Sequence, residues 1–265
     1  MSQPNKQNER PPLGFLATEI NFHRPPGDGF NNRTWSFPLI QQVAKGSLLV
    51  QLVSKDEYPE DFIENFVKAS EILISKGCVG IITSCGFLAM AQPELSKRLS
   101  VPIATSSLLQ IPAIQGFLPK GKVPGVITFD STRLKLKHFQ QLGIANADSI
   151  PIEGCPDPGE LRRVIRDGLP YVHEKLEAEL VQAAQNLVRT HPNVGAIVLE
   201  CTQLPPFAKA IQAAVKIPVY DVYTLGEWFY SGLARKGFAE WTATEKIEAR
   251  QHRPRSRVEL SESKL

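Results

Sequence analysis

Short apolar runs alternate along this chain with longer stretches in which apolar residues recur at helical spacing. The runs at Leu13–Thr18, Gly80–Ser84 and Val123–Phe129 are short and rich in Leu, Val and Ile. Residues 58–75 instead repeat apolar positions every three or four residues, as an amphipathic helix does. This alternation favours an α/β protein whose sheets are mainly parallel.

The same patterns predict the remaining elements of the chain. Further strands are expected at Ser47–Val53, Pro102–Thr105, Ser149–Ile152, Ala196–Leu199 and Pro218–Val222. Further helices are expected at Pro38–Ala44, between Cys85 and Leu99, and over 131–142, 158–190, 206–215, 225–236 and 240–250. Glycine and proline near residue 168 predict a break in the long helical stretch.

One strand–helix–strand unit occurs twice, and each copy carries a cysteine at the same point. The copies are Gly80–Leu109 and Ala196–Leu225, and their cysteines, Cys85 and Cys201, lie 116 residues apart. In both copies an apolar run ends at the cysteine, and a Val-Pro or Ile-Pro pair follows with its proline 17 residues later. The repeat predicts two lobes of like topology.

We therefore expect two pseudo-symmetric lobes, each a mainly parallel sheet flanked by helices, with the active site in the cleft between them. The predicted divisions are a disordered start over 1–11, a first lobe over 12–117 with 223–250, a second lobe over 118–222 and a flexible tail over 251–265. Ligands of open α/β sheets bind beyond the carboxyl ends of the strands. Both repeated cysteines lie at such ends, so both thiols should line the cleft.

The composition is that of an ordinary globular protein. Hydrophobic residues make up 42% of the 265 residues and charged residues 22%, and no apolar run is long enough to cross a bilayer. The net charge of +3 is smaller than the contribution of the four arginines in residues 250–257, so the rest of the chain is almost neutral. Neither nucleic acid nor a membrane is expected as a partner.

The cysteines and histidines give no sign of a metal centre. The four cysteines form no CxxC pair, and the five histidines are scattered without metal-ligand spacing. Cys78 and Cys155 have no counterpart in the other copy of the repeat, so we interpret both as structural. No metal or other cofactor is expected.

The two repeated cysteines each lie where a strand gives way to a helix, a position that favours anions. A thiol there should lose its proton more readily than a free thiol, and the backbone amides of Gly86 and Thr202 should hold a substrate carboxylate. The thiolate of Cys85 or Cys201 would take a proton next to that carboxylate, and the opposite thiol would return one to the other face. The alternative is that both cysteines only fill apolar space.

Polar residues near the strand ends are further candidates for binding the substrate. They are Ser84, Thr105, Ser106, Glu19, Arg24 and Thr128. Thr105 and Ser106 follow a strand end, where ordinary helix capping explains them equally well. Arg24 lies in a Pro/Gly-rich loop with Asp28, and it either clamps a second carboxylate of the substrate or pairs with Asp28.

Five segments of the chain resemble the cofactor-independent aspartate/glutamate racemase superfamily, which also includes hydantoin racemases, maleate isomerases and arylmalonate decarboxylases. They are FHRPPGD (22–28), TWSFP (34–38), TSCGFL (83–88), ATSSLLQ (104–110) and LECTQLPPFA (199–208). The resemblance covers roughly residues 12–238. It implies a duplicated α/β fold, no cofactor, and Cys85 and Cys201 as the catalytic pair.

The chain departs from the amino-acid racemases of this superfamily at two motif positions. Those enzymes have Asn-Thr after the first cysteine to hold the substrate carboxylate, whereas this chain has Gly86 and Phe87. The second motif keeps Cys201-Thr202 but has Glu200 where glycine is usual. Phe87 predicts a less polar pocket than aspartate or glutamate requires, and the presence of both cysteines argues against an arylmalonate-type decarboxylase.

The leading hypothesis is a two-cysteine racemase or epimerase that acts at a carbon next to a carboxylate or carbonyl group. The alternatives are a maleate-type cis–trans isomerase, a decarboxylase or other lyase of a small acid, and an inactive homologue that only binds its ligand.

The last three residues, Ser263, Lys264 and Leu265, match the signal that the peroxisomal import receptor reads, so we expect a peroxisomal protein. A homodimer is also expected from the resemblance.

Overall fold

A computed structural model describes residues 10–54, 57–237 and 239–251. Two four-stranded sheets form its framework, and the strand pairings in both are parallel. The first sheet contains β1 (Leu13–Thr18), β2 (Leu39–Ala44), β3 (Ile81–Thr83) and β4 (Ile103–Ala104). The second contains β5 (Val123–Thr128), β6 (Ile152–Gly154), β7 (Val194–Leu199) and β8 (Val219–Tyr220).

The two sheets have the same strand order. It runs β2-β1-β3-β4 in the first sheet and β6-β5-β7-β8 in the second. Strand β1 therefore corresponds to β5 and β3 to β7, which are the central strands of each sheet. These strands are almost continuously apolar because helices or loops cover both of their faces. The predicted α/β fold with two pseudo-symmetric lobes is confirmed.

Residues 38–53 fold differently from the sequence prediction. The predicted helix at Pro38–Ala44 is wrong, since the chain there forms β2 and pairs along its whole length with β1. The predicted strand at Ser47–Val53 is also wrong, since it contains the one-turn helix α1 (Leu49–Leu52). Strand β2 is an edge strand whose residues are mostly half-buried, so apolar and polar residues do not alternate regularly along it. Pairing with the open edge of β1 outweighs its local helical spacing.

Helices cover the sheets at the places that the apolar spacing predicts, with one addition. They are α2 (Glu60–Ser75), α3 (Gln92–Arg98), α4 (Ile111–Phe117), α5 (Leu136–Gln141), α6 (Glu160–Asp167), α7 (His173–Thr190), α8 (Ala208–Val215) and α9 (Val222–Leu233). The addition is α4, which starts with Pro112 in its first turn, where proline is tolerated. The predicted break between α6 and α7 falls at Gly168, whose φ of 68° is left-handed.

Apolar packing joins the two lobes into one core. The first sheet packs on α2 through Phe66 on one face and on α9 through Tyr230 on the other. The core around the second sheet includes Phe87, Leu108 and Ile111, which come from the first half of the chain. Because the lobes share buried side chains, the ends of their central strands are held close together.

The chain divides into two compact units, with the boundary after Ala234. The second unit contains α10 (Ala243–Gln251). In the part of the chain that the structure describes, no helix is long and apolar enough to span a membrane. The predicted import signal at 263–265 and residues 1–9 of the predicted disordered start lie outside the described residues.

Candidate active site

Cys85 and Cys201 lie at equivalent places in the two lobes, each two residues beyond the end of a central strand. Strand β3 ends at Thr83 and β7 ends at Leu199. Both cysteine residues are half-buried, and both line one cavity of about 40 Å³. The structure thus brings the two predicted thiols, from opposite lobes, to a single cavity.

Hydrogen bonds between the lobes hold the two cysteine-bearing segments together. The Thr202 hydroxyl donates to the carbonyl of Ser84, the residue before Cys85. Nearby, the Ser107 hydroxyl donates to the Leu199 carbonyl at 2.8 Å. These residues are buried, so water does not compete for the bonds. The positions of both cysteines therefore depend on contacts between the lobes.

Glu200, which directly precedes Cys201, is a buried carboxyl group between the two cysteine-bearing segments. Its Oε2 accepts a hydrogen bond from Thr128 Oγ1 at 2.6 Å, while its Oε1 has no hydrogen-bond partner among the described residues. A Cβ atom at Gly86 would lie 2.3 Å from that Oε1 and 2.4 Å from the Glu200 carbonyl oxygen. Glu200 therefore occupies space that is open only because glycine follows Cys85.

In each lobe, a threonine ends the central strand, β1 or β5, and contacts the residue before the cysteine. In the first lobe, Ser84 Oγ accepts a hydrogen bond from the Thr18 amide at 2.9 Å and lies 3.3 Å from Thr18 Oγ1. In the second lobe, Thr128 donates to Glu200. Ser84 and Glu200 are thus equivalent positions of the repeat, one with a hydroxyl group and the other with a carboxyl group.

Burial controls the ionisation of Glu200. It raises the pKa of this carboxyl group to about 7, although hydrogen bonds from the Thr128 hydroxyl and the Phe129 amide act in the opposite direction. The carboxyl group is therefore close to half protonated at neutral pH, and it titrates inside the cavity wall rather than in water.

The two thiols are harder to ionise than free cysteine. Burial raises the pKa of Cys85 and of Cys201, and the negative charge of Glu200 raises both further. The predicted lowering of the thiol pKa is therefore wrong. The amides of Phe87 and Leu88 do lower the pKa of Cys85, as a helix start should, but burial outweighs them.

The rest of the cavity wall is largely apolar. Its apolar side chains are Ile20, Phe22, Leu52, Val53, Phe87, Phe129 and Ile165. The Tyr58 hydroxyl lies 2.7 Å from the Leu52 carbonyl and 3.0 Å from the Phe87 carbonyl, so it joins two segments of this wall. A volume of about 40 Å³ holds only a few water molecules. The cavity is suited to a small substrate whose methyl or methylene groups face this apolar wall.

Several predicted binding residues lie at or directly behind this cavity. Ser84, Phe87 and Thr202 line it together with the two cysteines. Gly86 and Thr128 lie behind the wall, where both contact Glu200. Among the described residues, no group of three or more His, Cys, Asp or Glu side chains is placed to hold a metal ion.

Four other predicted binding residues do not line the cavity. Glu19 and Arg24 border a neighbouring groove, where Arg24 pairs with Asp28 at 3.4 Å. Thr105 is bonded to the side chain of Gln92, and Ser106 accepts a hydrogen bond from the Leu108 amide as a helix cap. Cys78 and Cys155 are buried, as structural cysteines are. A role in substrate binding for Glu19, Arg24, Thr105 and Ser106 stays a prediction.

The sequence prediction missed three polar residues of the cavity wall, Thr18, Glu200 and Gln203. Thr18 precedes the predicted Glu19 by one residue, and successive side chains of a strand point to opposite faces. Glu200 is visible in the sequence only as a departure from the usual glycine. Its place between the two cysteine-bearing segments follows from contact between the lobes, for which Gly86 is the one local sign.

Replacing Gly86 with alanine should destabilise the protein, because the added methyl group would overlap Glu200. We expect a loss of about 1–3 kcal/mol in the free energy of unfolding, measured by urea denaturation. Gly116→Ala is the matched control, since a Cβ atom there meets nothing within 4 Å. Equal losses in the two variants would mean that positions 86 and 200 are not in contact.

Glu200→Gln should make the stability of the protein less sensitive to pH. The folded pKa of about 7 exceeds the ordinary value of 4.5, so the stabilising effect of protonation is complete below pH 4.5 and is lost as the pH rises through 7. Over this pH range the free energy of unfolding of the wild type should fall by up to about 3 kcal/mol, whereas that of the variant should not. Melting temperatures at pH 5 and pH 8 measure this. A difference between the two proteins that does not change with pH would contradict the burial of an ionisable Glu200.

Comparison with curated proteins finds relatives among enzymes of one activity. The chain is 28% identical over 237 residues to a dimethylsulfoniopropionate lyase from Durusdinium sp. clade D, covering 86% of this chain and 78% of that protein. It is 28% identical over 225 residues to dimethylsulfoniopropionate lyase 3 from Emiliania huxleyi, covering 82% of this chain and 58% of that protein. The chain thus spans little more than half the length of this second relative. No protein-family model matches the chain.

Solved structures of similar fold cover most of the chain at low sequence identity. Arylmalonate decarboxylase matches with a TM-score of 0.55 and 16% identity over 86% of this chain and 94% of that one. Allantoin racemase from Pseudomonas fluorescens matches with a TM-score of 0.52 and 14% identity over 86% of this chain and all of that one, 100%. The predicted resemblance is thereby confirmed at the level of the fold: the chain shares the two-lobed α/β fold of arylmalonate decarboxylase and allantoin racemase, and the relatives that it matches by sequence are dimethylsulfoniopropionate lyases.

Proposed function

We propose that this chain is a cofactor-independent enzyme that removes the proton next to the carboxylate of a small organic acid, with a cysteine thiolate as the base. The observation that carries the proposal is that Cys85 and Cys201, from opposite lobes, line one small cavity. A thiolate with few water molecules around it is a stronger base than one in bulk water, as the weakly acidic C–H bond requires. We assign the backbone amide of Thr202, a residue that lines the cavity, to the substrate carboxylate.

We infer that the reaction ends as an elimination. The relatives whose alignments cover more than four fifths of the chain are named dimethylsulfoniopropionate lyases. With such a substrate, the proton of the α-carbon would pass to a cysteine sulfur, and a double bond would form between the α- and β-carbons. The bond from the β-carbon to the sulfonium sulfur would break, with its electron pair staying on sulfur. Dimethyl sulfide and acrylate would leave, and no oxidant or reductant is needed.

The cavity wall suits a substrate with a compact cationic group, such as a sulfonium, which becomes neutral when it leaves. Phe22, Phe87 and Phe129 line the cavity, and aromatic rings attract cations while also packing against methyl groups. Glu200, whose burial raises its pKa to about 7, places partial negative charge in the same wall. These features favour a sulfonium group over a second carboxylate, which Glu200 would repel.

Racemisation or epimerisation is the second candidate. It is favoured by the equivalent positions of the two thiols at the ends of β3 and β7, which suit removal of a proton from one face of a carbon and delivery to the other. A neighbour of the same fold is an allantoin racemase. In this case the second thiol would protonate the carbanion that forms when the α-proton is removed. In an elimination, the same carbanion would instead expel a leaving group.

Turnover in D2O distinguishes the two outcomes. A lyase should convert dimethylsulfoniopropionate to acrylate and dimethyl sulfide, which proton NMR detects directly. A racemase should instead place deuterium at C2 of single enantiomers of 2-substituted propionates while their optical rotation decays. Absence of both fragmentation and C2 exchange across these acids would overturn the proposal.

Racemisation should fall by at least ~100-fold in both Cys85→Ser and Cys201→Ser, and elimination should fall as far in the variant that loses the base, because a serine hydroxyl is a far poorer base than a thiolate. Cys78→Ala is the matched control, since Cys78 is buried in the core of the first lobe, away from the cavity. Turnover would be measured as product formation, with circular dichroism to verify folding. Full activity in both serine variants would mean that the site is assigned wrongly. If elimination uses a single base, one variant should retain C2 exchange and the other should not.

A further inference from the structure

Glu200 has no part in the proton transfer proposed above, yet it lies against both cysteine-bearing segments. It precedes Cys201 directly and lies against Gly86, which follows Cys85. Its Oε2 is held by Thr128, whereas its Oε1 has no hydrogen-bond partner among the described residues although it is buried. A buried polar atom without a partner costs free energy, so its retention calls for an explanation.

We propose that Glu200 takes up the proton of whichever thiol ionises, so that Cys85, Glu200 and Cys201 share a single negative charge. The inference rests on the proposed function, since it concerns how the two working thiols become thiolates. It assigns a proton-accepting role to the unpartnered Oε1.

Mutual repulsion supports the sharing of one charge. The charge of Glu200 opposes ionisation of Cys85 and of Cys201, and the two cysteines also oppose each other. Like charges in a poorly solvated site cannot all form, so such groups titrate as a unit. The first proton to leave the cluster therefore leaves one charge, which rests mostly on the carboxylate and in a minor fraction on a thiolate.

The proton balance of this step closes within the site. A thiol and the Glu200 carboxylate exchange one proton and give a thiolate and a carboxylic acid. The thiolate then takes the α-proton and becomes a thiol again, while the leaving group departs with its electron pair. The carboxylic acid finally loses its proton to water, which restores the starting charge.

Two other ionisable side chains act on this cluster. Tyr58 is influenced by the charges of Cys85 and Glu200, and burial raises its pKa well above the ordinary value. The pKa of Cys155 is likewise raised, first by burial and partly by Glu200. Both groups are neutral around pH 7, so the cluster of Cys85, Glu200 and Cys201 alone determines how many protons leave there.

The test is the pH dependence of thiol alkylation in the full-length protein without substrate. Iodoacetamide would be applied between pH 5.5 and 9.5, and modification of Cys85 and Cys201 followed by peptide mass spectrometry. In wild type the rate should rise up to about pH 7 and then flatten, because the single charge has then formed and its division between Glu200 and the thiols no longer depends on pH. In Glu200→Gln it should keep rising about tenfold per pH unit, and at pH 9 exceed the wild-type rate by about tenfold or more.

Thr128→Val provides a second, independent variant that keeps the carboxyl group. The Thr128 hydroxyl lowers the pKa of Glu200, so its loss should move the flattening to higher pH. Glu153→Gln is the matched control, because burial also raises the pKa of Glu153 and it lies on β6 of the same sheet but does not line the cavity. Its profile should equal that of wild type.

Superimposed or parallel profiles for wild type and Glu200→Gln would overturn the inference, since Glu200 would then exchange no proton with the thiols. If Glu200→Gln fails to fold, an unshifted profile in Thr128→Val overturns it equally. Because no substrate is present, these results are independent of whether the chain is a lyase or a racemase. Failure of the proposed function and failure of this inference are therefore distinguishable.

Discussion

The site depends on the close approach of two strand ends from different lobes. Thr202 donates to the carbonyl of Ser84, and Gly86 lies so near Glu200 that no side chain fits between them. Without this contact, each cysteine would lie at the end of its own sheet and meet only its own lobe. The chemistry proposed for the thiols is thus a consequence of backbone packing, since the glycine permits the approach and the hydroxyl bond fixes it.

Two opposing effects meet at each thiol, and their relative size decides the character of the site. Nearby backbone amides favour each thiolate, those of Phe87 and Leu88 at the helical turn after Cys85 and that of Gln203 in the turn after Cys201, where the predicted helix start is absent. These amides act over one or two hydrogen bonds, whereas burial removes the solvation of the whole charge. At Cys85 and Cys201 burial is the larger effect, and Glu200 adds to it. A thiol of this kind is inert until it passes its proton to a neighbour, and its thiolate is then unusually basic.

Much of the fold can be predicted from the sequence because the two copies of the repeat agree in two respects. Both have the same order of apolar runs, and both have a cysteine at the same position. Strands β1, β3, β5 and β7 are central and nearly all apolar, so their apolar runs predict them directly. Strand β2 is an edge strand, and its local spacing contradicts the pairing that tertiary structure imposes. The role of Glu200 is similarly hidden, since burial of a carboxyl group between lobes leaves no local pattern beyond the glycine that faces it.

The repeat also shows where the two halves of the site have diverged. Thr18 and Thr128 end corresponding strands, but the first meets the hydroxyl group of Ser84 and the second the carboxyl group of Glu200. A carboxyl group at both positions would place two buried acids against the same pair of thiols, and their repulsion would keep one of the two protonated, so the second acid would add no charge. One carboxyl group is enough to serve two thiols that face the same cavity. An elimination needs one base at a time, so a single shared charge is sufficient for it, and the second thiol is free to remain protonated.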